Sequence, residues 1–482
     1  MRRGHRQPIE DGMQMKSFSL SRRQALLAMV AGLLTGSGAL RVRADQPTSG
    51  GQVSMAAQPK IVQFFTRQGA GDKDGRDWQN AMPLGGLSKA LNAGQPGSGF
   101  FIGFDPGNLD PAPLDKGRVN LKGSGDPDNP LFVQVGLIAG DNGLAAADGD
   151  AGLFFKSTRP WSLETFGKRG SASCYFGIAS GASHLRLSGF RVDGTPADGL
   201  FKFRAEKDDP VTFDDIVIAG IDARNVGRII ETERGSMLRN VVVENCRAIG
   251  VVRGFARFRD LSDSVLRNLE LDADNMDAGG KNVCQLISLE SGSNVVFENV
   301  VVRNAVNDSI KKDGKPSYVQ GDGIVCERKT RNLVLRNCHA SGMGDGGFDL
   351  KTTDTLIEDC TTDSCKYGAR IWSASNNVIR RCSFKNPQSR GNIKGACIQV
   401  GGSVEIIDTA LQAGPGTIAI NLHKLENKPN DPVVRMQGGS IELSGDAKIV
   451  GTAGRGGILE LHGVKVNGVV TDQRFVFEDK KQ

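Results

Sequence analysis

The sequence has few aromatic residues, few histidines and no CxxC cysteine pair. Aromatic residues make up 6% of its 482 residues, and the five histidines form no cluster. The nine cysteines lack the spacing of a zinc site. The apolar run Ala25–Leu34 is too short to span a bilayer comfortably. These absences argue against a catalytic histidine, a zinc centre and a transmembrane helix.

Residues 45–482 also lack a net charge, since they hold 52 basic and 52 acidic residues. The net charge of +6 therefore belongs to residues 1–44, which carry eight basic and two acidic residues. A chain without net charge shows no general preference for nucleic acid or for an anionic membrane. We expect neither as a partner, and the sequence leaves the oligomeric state open.

Residues 1–44 have the layout of a bacterial signal peptide. Arg22 and Arg23 precede the apolar run, and Val42-Arg43-Ala44 resembles a cleavage site. Paired arginines at this place predict export by the twin-arginine route. The mature protein is then periplasmic or secreted, and an ordinary secretory signal or a short anchor is the alternative.

Glycine is abundant, at 63 residues, which with the low aromatic content favours short strands joined by tight turns. A phrase of one glycine and four strand residues begins at Gly323, Gly347 and Gly368. A second apolar run follows each copy and ends at Cys338, Cys360 and Cys382, which are 22 residues apart. A fixed period with two short strands per unit predicts a solenoid. We therefore predict an all-β, right-handed parallel β-helix.

This repeat sets the predicted domain organisation. Residues 45–58 are a flexible N-terminus, residues 59–470 a single β-helix, and residues 471–482 a charged tail. A solenoid must cover its first coil, and residues from about 59 to 104 contain an amphipathic helix that suits a cap. A calcium loop formed by Asp72, Asp74 and Asp77 is the alternative there.

The cysteines at the ends of the repeat strands predict a buried ladder. Cys246, Cys338, Cys360 and Cys382 occupy equivalent places on successive coils. Small sulfur side chains pack well in such a core. Neighbouring coils lie about 4.8 Å apart, so that some pairs could also oxidise with little movement. We favour reduced thiols.

Strand alternation separates structural residues from candidate functional residues. Outward positions on three coils form two columns, one with Val325, Asp349 and Arg370, and one with Glu327, Lys351 and Trp372. A looser fourth copy adds Gln399 to the second column. The turns before two of these strands hold Asp322 and Asp345. Four carboxylates, two cations and an exposed aromatic ring on one patch favour a functional site over an ordinary solvated face.

The repeat and the N-terminal region resemble the pectate-lyase-like superfamily of right-handed parallel β-helix enzymes. In Asp322 and in Asp345-Gly346-Gly347-Phe348-Asp349, the motif is similar to the calcium site of family-nine polysaccharide lyases. The resemblance implies Ca²⁺ bound by Asp322, Asp345 and Asp349, with Gly346 where that family has another Asp and Glu327 as a substitute ligand.

The same resemblance implies β-elimination on an acidic, uronate-containing polysaccharide. Arg370 stands where the family has its catalytic Lys. Because Arg is normally protonated, Lys351 is an alternative base. Neutralising the carboxylate beside the reacting carbon makes the proton removable. Trp372 is expected to stack on a sugar ring, and Gln399 to bind a hydroxyl.

Two alternatives remain. Gln320-Gly321-Asp322 and Gly344-Asp345-Gly346 are similar to parts of the polygalacturonase motif, with Lys366-Tyr367-Gly368 in place of its Gly-His-Gly. Asp322 and Asp345 could supply the two carboxyls that inverting hydrolysis needs. The other alternative is an exported protein that binds a polysaccharide, or takes part in exopolysaccharide assembly, without cleaving it.

Overall fold

The chain winds into a parallel β-helix of three strand faces, whose strands pair with those of the coils before and after. This computed structural model describes residues 58–478, except residues 108–109, 115–117, 146–153, 161–172, 180, 206–207, 278–282, 309–310, 313–314, 317, 374–375, 424–430 and 453–455. They belong to one compact unit, Val53–Gln482. The predicted signal peptide and most of the predicted flexible N-terminus lie outside the described residues.

Face 1 carries the candidate site and consists of twelve parallel strands or strand segments. Its members are β5 (Val119–Leu121), β9 (Ser173–Ile178), β12 (Asp198–Phe203), β15 (Arg228–Thr232), β17 (Ala256–Phe258), the first parts of β19 (Gln285–Arg303) and β22 (Asp322–Arg336), β24 (Gly346–Leu350), β27 (Tyr367–Ile371), β30 (Ala396–Val400), β33 (Ile418–Leu422) and β36 (Lys448–Thr452).

Face 2 follows along the chain and starts nearest the N-terminus. Its members are β1 (Ile61–Thr66), β3 (Ser98–Phe104), β6 (Leu131–Ala139), β10 (Leu185–Ser188), β13 (Val211–Ala219), β16 (Ser236–Ile249), β18 (Leu261–Asp272), later parts of β19 and β22, β25 (Thr353–Glu358), β28 (Asn377–Arg380), β31 (Ser403–Ile407), β34 (Val433–Gln437) and β37 (Gly457–Val466).

Face 3 closes each coil with short strands. Its members are β4 (Ala112–Pro113), β8 (Phe155–Lys156), β11 (Arg191–Asp193), β14 (Asp222–Arg224), the ends of β16, β18, β19 and β37, β23 (His339–Ser341), β26 (Thr361–Asp363), β29 (Ser383–Lys385), β32 (Ala410–Ala413) and β35 (Ser440–Leu443). The predicted all-β parallel solenoid is thus confirmed.

A few elements lie outside the three faces. They are β2 (Met82–Pro83), β7 (Gly143–Ala145), β20 (Lys311–Lys312), β21 (Lys315–Pro316), β38 (Val469–Phe477), α1 (Leu87–Ala93) and two 3-10 turns, Trp78–Asn80 and Leu84–Gly86. Strand β38 pairs antiparallel with β37. Residues 471–477, predicted as part of a charged tail, therefore belong to a terminal hairpin, because β37 offers them a strand edge.

The only α-helix in the described residues, α1, falls inside the segment predicted as the cap. Leu87 and Leu91 are fully buried in the main core, and the Leu91 carbonyl accepts a hydrogen bond from the Gly123 amide. The role of α1 as a cap stays a prediction. In the preceding turn Arg76 forms ion pairs with the three acids considered as a calcium loop, Asp72, Asp74 and Asp77.

One continuous apolar core runs inside the coils, and the cysteines belong to it. All nine cysteines are buried and free. The Cys338 amide donates to Cys360 Sγ over 3.3 Å, and the Cys360 amide donates to Cys382 Sγ over 3.4 Å. Burial raises the pKa of the Cys246 and Cys397 thiols to about 12. The cysteines therefore pack as small neutral core residues.

The outer surface of face 2 carries a ladder of alternating charges on six successive coils. In register order these residues are Glu244, Arg267, Glu298, Arg336, Glu358 and Arg380. Opposite charges on neighbouring strands attract, and a slip by one coil would place like charges together. The ladder therefore favours the observed pairing between neighbouring coils.

Candidate functional site

The strand alternation predicted from the sequence is confirmed on face 1. Ile324, Cys326, Phe348, Leu350, Ala369 and Ile371 are buried in the core. Val325, Asp349 and Arg370 are register partners. Unlike the predicted wet face, however, this column is covered, since Val325 and Asp349 are only 1% and 4% exposed.

The position predicted for Gln399 is wrong. Gln399 pairs with Arg370, and Asn421 pairs with Gln399, so that Gln399 extends the first column and not the column of Trp372. The glycine of the fourth copy does not align, because Ala369 pairs with Ile398 and Cys397 therefore occupies the place of Gly368. Gln399 is buried, and its Oε1 accepts no hydrogen bond from the described residues.

Three aspartates lie together at the start of β22 and β24, and we call Asp322, Asp345 and Asp349 the acid cluster. All three are at most 4% exposed. The Gly346 amide donates to Asp322 Oδ1 over 2.8 Å. A Cβ atom on Gly346 would lie 3.2 Å from Asp349 Cβ and 3.3 Å from both Asp322 Oδ1 and Arg370 Cδ. Close packing therefore explains the glycine where the lyase family has an Asp.

The Arg370 guanidinium lies between two acids of the cluster. Its Nη1 is 2.6 Å from Asp345 Oδ2 and 3.8 Å from Asp349 Oδ2. Burial alone would lower the pKa of Arg370, but the negative charges of Asp349 and Asp345 outweigh it, so that the pKa lies above its ordinary value. Arg370 is therefore protonated, which disfavours the predicted role as a base.

The charge of Lys351 is likewise compensated by neighbouring carboxylates. Its Nζ is 2.6 Å from Glu327 Oε1 and 3.4 Å from Asp349 Oδ2. Burial lowers the pKa of Lys351, but Asp349 and Glu327 together raise it above its ordinary value. The electrostatics therefore favour an ion-pairing role for Lys351 over a role as a base.

Trp372 is partly buried and has protein partners on several sides. Its Nε1 donates to Asp349 Oδ1 over 2.6 Å, and the Arg370 guanidinium carbon lies 4.7 Å from the ring centre. The ring also meets His423 edge-on, with the centroids 5.5 Å apart. Trp372 therefore orients Asp349 and Arg370, and its stacking on a sugar stays a prediction.

The sequence reasoning gave no role to Tyr318 and Lys366. The Tyr318 hydroxyl donates to Asp345 Oδ1 over 2.6 Å. The buried Lys366 Nζ lies 3.2 Å from the centre of the Tyr318 ring and 3.6 Å from Asp345 Oδ1. Burial lowers the pKa of Lys366 to about 8, despite the opposing charge of Asp345. The sequence held a signal that could have pointed to these residues. Two of the three tyrosines, at 318 and 367, flank this site in a chain poor in aromatic residues.

Asp322 differs from the other two acids because no cation forms an ion pair with it among the described residues. Burial, together with the charges of Asp345 and Asp349, raises the pKa of its carboxyl to about 8. These surroundings therefore favour the protonated form of Asp322. A protonated carboxyl beside two carboxylates that face cations is an arrangement suited to proton transfer.

The acid cluster does not fit calcium in this arrangement. No group of three or more His, Cys, Asp or Glu side chains in the described parts of the chain is placed to hold a metal ion. The guanidinium of Arg370 already lies between two of the predicted ligands, and Glu327 binds Lys351. The calcium site stays a prediction.

Comparisons with known proteins bear on the fold. The family described as "right handed beta helix region" matches residues 285–412. A comparison with curated proteins gave no match. The match and the observed strand faces bear out the right-handed parallel β-helix that the predicted resemblance implied. The closer motif resemblance to family-nine lyases stays a prediction.

Several solved structures resemble this chain at low identity. A GH136 lacto-N-biosidase from Eubacterium ramulus is 10% identical over 85% of this chain and 68% of that chain, with a TM-score of 0.46. Pectate lyase Pel9A is 12% identical over 82% and 78%, with a TM-score of 0.36. A mannuronic acid specific polysaccharide family 6 lyase from human gut microbiota is 11% identical over 76% and 82%, with a TM-score of 0.39. These likenesses concern the fold and not the activity.

No helix in the described residues is both long and apolar enough to span a membrane.

Proposed function

We propose that this protein cleaves the glycosidic linkages of a polysaccharide at the acid cluster, with the Asp322 carboxyl as the proton donor. The observation that carries the proposal is the unequal surroundings of three adjacent carboxyls. Asp322 is buried without an ion-pair partner in the described residues, whereas Asp345 and Asp349 lie beside Arg370. Groups held in different protonation states at one site can act as acid and base in the same reaction.

Hydrolysis is the reaction that this arrangement supports best. The protonated Asp322 would donate its proton to the oxygen of the departing sugar. Asp345 or Asp349, each of which lies beside a cation, would activate water or attack the sugar carbon. Tyr318 and Trp372 hold these two carboxylates through hydrogen bonds to Asp345 and Asp349. In this proposal Asp322, Asp345 and Asp349 take roles other than the calcium binding that the resemblance implied.

β-Elimination on an acidic polysaccharide is the second candidate. The cations that favour it are Arg370, Lys351 and Lys366, which could neutralise a uronate carboxylate. Of the three, Lys366 has its pKa lowered to about 8 by burial and is the better base. The calcium predicted from the sequence would belong to this candidate only, and the acid cluster as observed does not fit it. Export through the twin-arginine route, which would bring the protein to extracellular polysaccharide, is part of the proposal for either reaction.

The products distinguish these reactions. Purified protein is incubated with polygalacturonate, alginate, hyaluronate and neutral glucans, with calcium or with EGTA, and reducing ends and absorbance near 235 nm are followed together. Reducing ends without absorbance support hydrolysis, and both signals together support elimination. Neither signal on any substrate, with binding retained, would leave the protein as a binding module and overturn the proposal.

A further inference from the structure

A basic segment follows the site residues directly on β22. Arg328, Lys329 and Arg331 are all exposed, and within the described residues none of them has an ion pair or a hydrogen bond through its side chain. They come after Glu327, which binds Lys351 beside the acid cluster. At about 3.3 Å per residue in a strand, Arg331 lies at most about 13 Å from Glu327.

These cations lie where β22 passes from face 1 to face 2, and they contrast with several charged residues nearby. Several cations at the site and on the preceding coils have carboxylate partners, in the pairs Lys202–Glu233, Arg228–Glu231, Arg257–Glu290, Lys351–Glu327 and Arg370–Asp345. Their charges are largely compensated within the protein. The segment 328–331 therefore carries positive charge that no carboxylate compensates among the described residues.

The surroundings leave this charge accessible. The register partners of Lys329, Thr330 and Arg331 on the preceding coil are Ser291, Gly292 and Ser293, and Arg331 pairs with Thr353 on the following coil. Such small side chains cannot cover the long cationic ones. An unpaired and solvated cation attracts an anion over roughly the Debye length, which is about 10 Å at 0.1 M salt.

We propose that Arg328, Lys329 and Arg331 form a docking site for the carboxylate groups of an anionic polysaccharide and lead its chain toward the acid cluster. The proposal rests on the proposed function for the nature of the chain. The acid cluster offers an anionic chain little net attraction, because its cations are already bound to Asp345, Asp349 and Glu327. Anionic selectivity is then decided outside the cluster.

A polysaccharide fits this surface better than a nucleic acid does. Residues 327–332 contain no aromatic side chain on which a base could stack, and three cations are few for a phosphate-binding surface. Guanidinium and ammonium groups bind carboxylates readily. The adjoining acid cluster gives a bound chain a place to react.

The test compares two variants that lose the same charge. One is R328Q/K329Q/R331Q, and the control is K89Q/K122Q/K465Q, which removes three exposed cations far from β22 in the chain. Binding is measured by affinity electrophoresis in gels with polygalacturonate, alginate or neutral pullulan. We expect the first variant to bind polyuronates at least tenfold more weakly at 20 mM NaCl. The difference should shrink at 500 mM NaCl, and the control should stay within twofold of the unmodified protein.

The outcomes separate this inference from the proposed function, because binding is measured without turnover. Equal polyuronate binding by both variants would overturn the docking site, even if the protein cleaves polysaccharides. Loss of binding only in the first variant would support the docking site, even if no cleavage is found. Binding of a 20-base-pair DNA or of anionic vesicles through the same residues, without polyuronate binding, would also overturn it. Thermal unfolding checks that both variants are folded.

Discussion

Replacing Asp322 by Asn should change how the stability of the protein depends on pH. The pKa of this carboxyl in the folded protein, about 8, lies above the ordinary value of 3.8. The unfolded chain therefore releases the proton first as the pH rises. The stability contribution of Asp322 is complete below about pH 4, falls between pH 4 and pH 8, and reaches its minimum above pH 8.

The size of the effect follows from the part of the pH range between the two pKa values that the measurements cover. Each pH unit between the two pKa values costs about 1.4 kcal/mol, so that the change from pH 5 to pH 8.5 is at most about 4 kcal/mol. Because the charges of Asp345 and Asp349 also act on Asp322, we expect a change in the free energy of unfolding of about 2–4 kcal/mol. An asparagine does not titrate, and its side-chain oxygen can still accept the Gly346 amide.

The assay is urea unfolding of the unmodified protein and the D322N variant at pH 5 and pH 8.5. We expect the free energy of unfolding of D322N, relative to the unmodified protein, to be higher at pH 8.5 than at pH 5 by this amount. A D198N variant serves as a control, because Asp198 is a buried aspartate on β12, four coils away, bound by Thr195. If D322N and the unmodified protein differ equally at both pH values, Asp322 is not the titrating group and our argument fails.

Further predictions concern neighbours of the cluster and the charge ladder. G346D should destabilise the protein by about 1–3 kcal/mol in urea unfolding, because a Cβ atom at this position already meets tight contacts. Calorimetry should show no gain of calcium binding by this variant, and tight calcium binding with unchanged stability would contradict our account of Arg370. R370M should lower stability by about 3–5 kcal/mol, since it removes the cation from two buried acids, and an effect below 1 kcal/mol would refute this pairing. E358Q should cost about 3 kcal/mol, because Glu358 is buried among three arginines, whereas E298Q, at a 3.7 Å pair with both groups about one-third exposed, should cost less than 1 kcal/mol.

The sequence was sufficient to predict the fold, because each coil repeats the same pattern. The spacing of Cys338, Cys360 and Cys382 set the coil length, and the glycines of the repeated phrase marked the start of each strand on face 1. The alternation of Ile324 and Cys326 with polar neighbours predicted which side chains enter the core. Strand β38 was missed, because its pairing is antiparallel and follows no repeat.

The candidate site was predicted in position but not in chemistry. Asp322, Asp345, Asp349 and Arg370 come together as expected, because their strands are neighbours in register. Their roles depend on which cation lies next to which acid, and a one-dimensional pattern does not contain this information. Tyr318 was missed for the same reason, since it reaches Asp345 from 27 residues away.

The register of Gln399 shows how a loop of irregular length limits such reasoning. The segment between β29 and β30 is longer than in the two coils directly before, and the glycine at 395 suggested a fourth copy of the phrase. Strand pairing decides the register instead, and it aligns Ala369 with Ile398. A difference of two residues, from Trp372 to Arg370, moved Gln399 into the other outward column.

The central claim, that Asp322 donates the proton in polysaccharide cleavage, is tested most directly by the rate of product formation. The unmodified protein, D322N and the D198N control are compared on the best substrate of the panel, with folding checked by circular dichroism. We predict a loss of at least 100-fold in kcat for D322N, with KM little changed, and a rate near that of the unmodified protein for D198N. For the unmodified protein we predict a rate that declines above about pH 8. If D322N keeps its activity, the acid cluster is not the catalytic site that we propose.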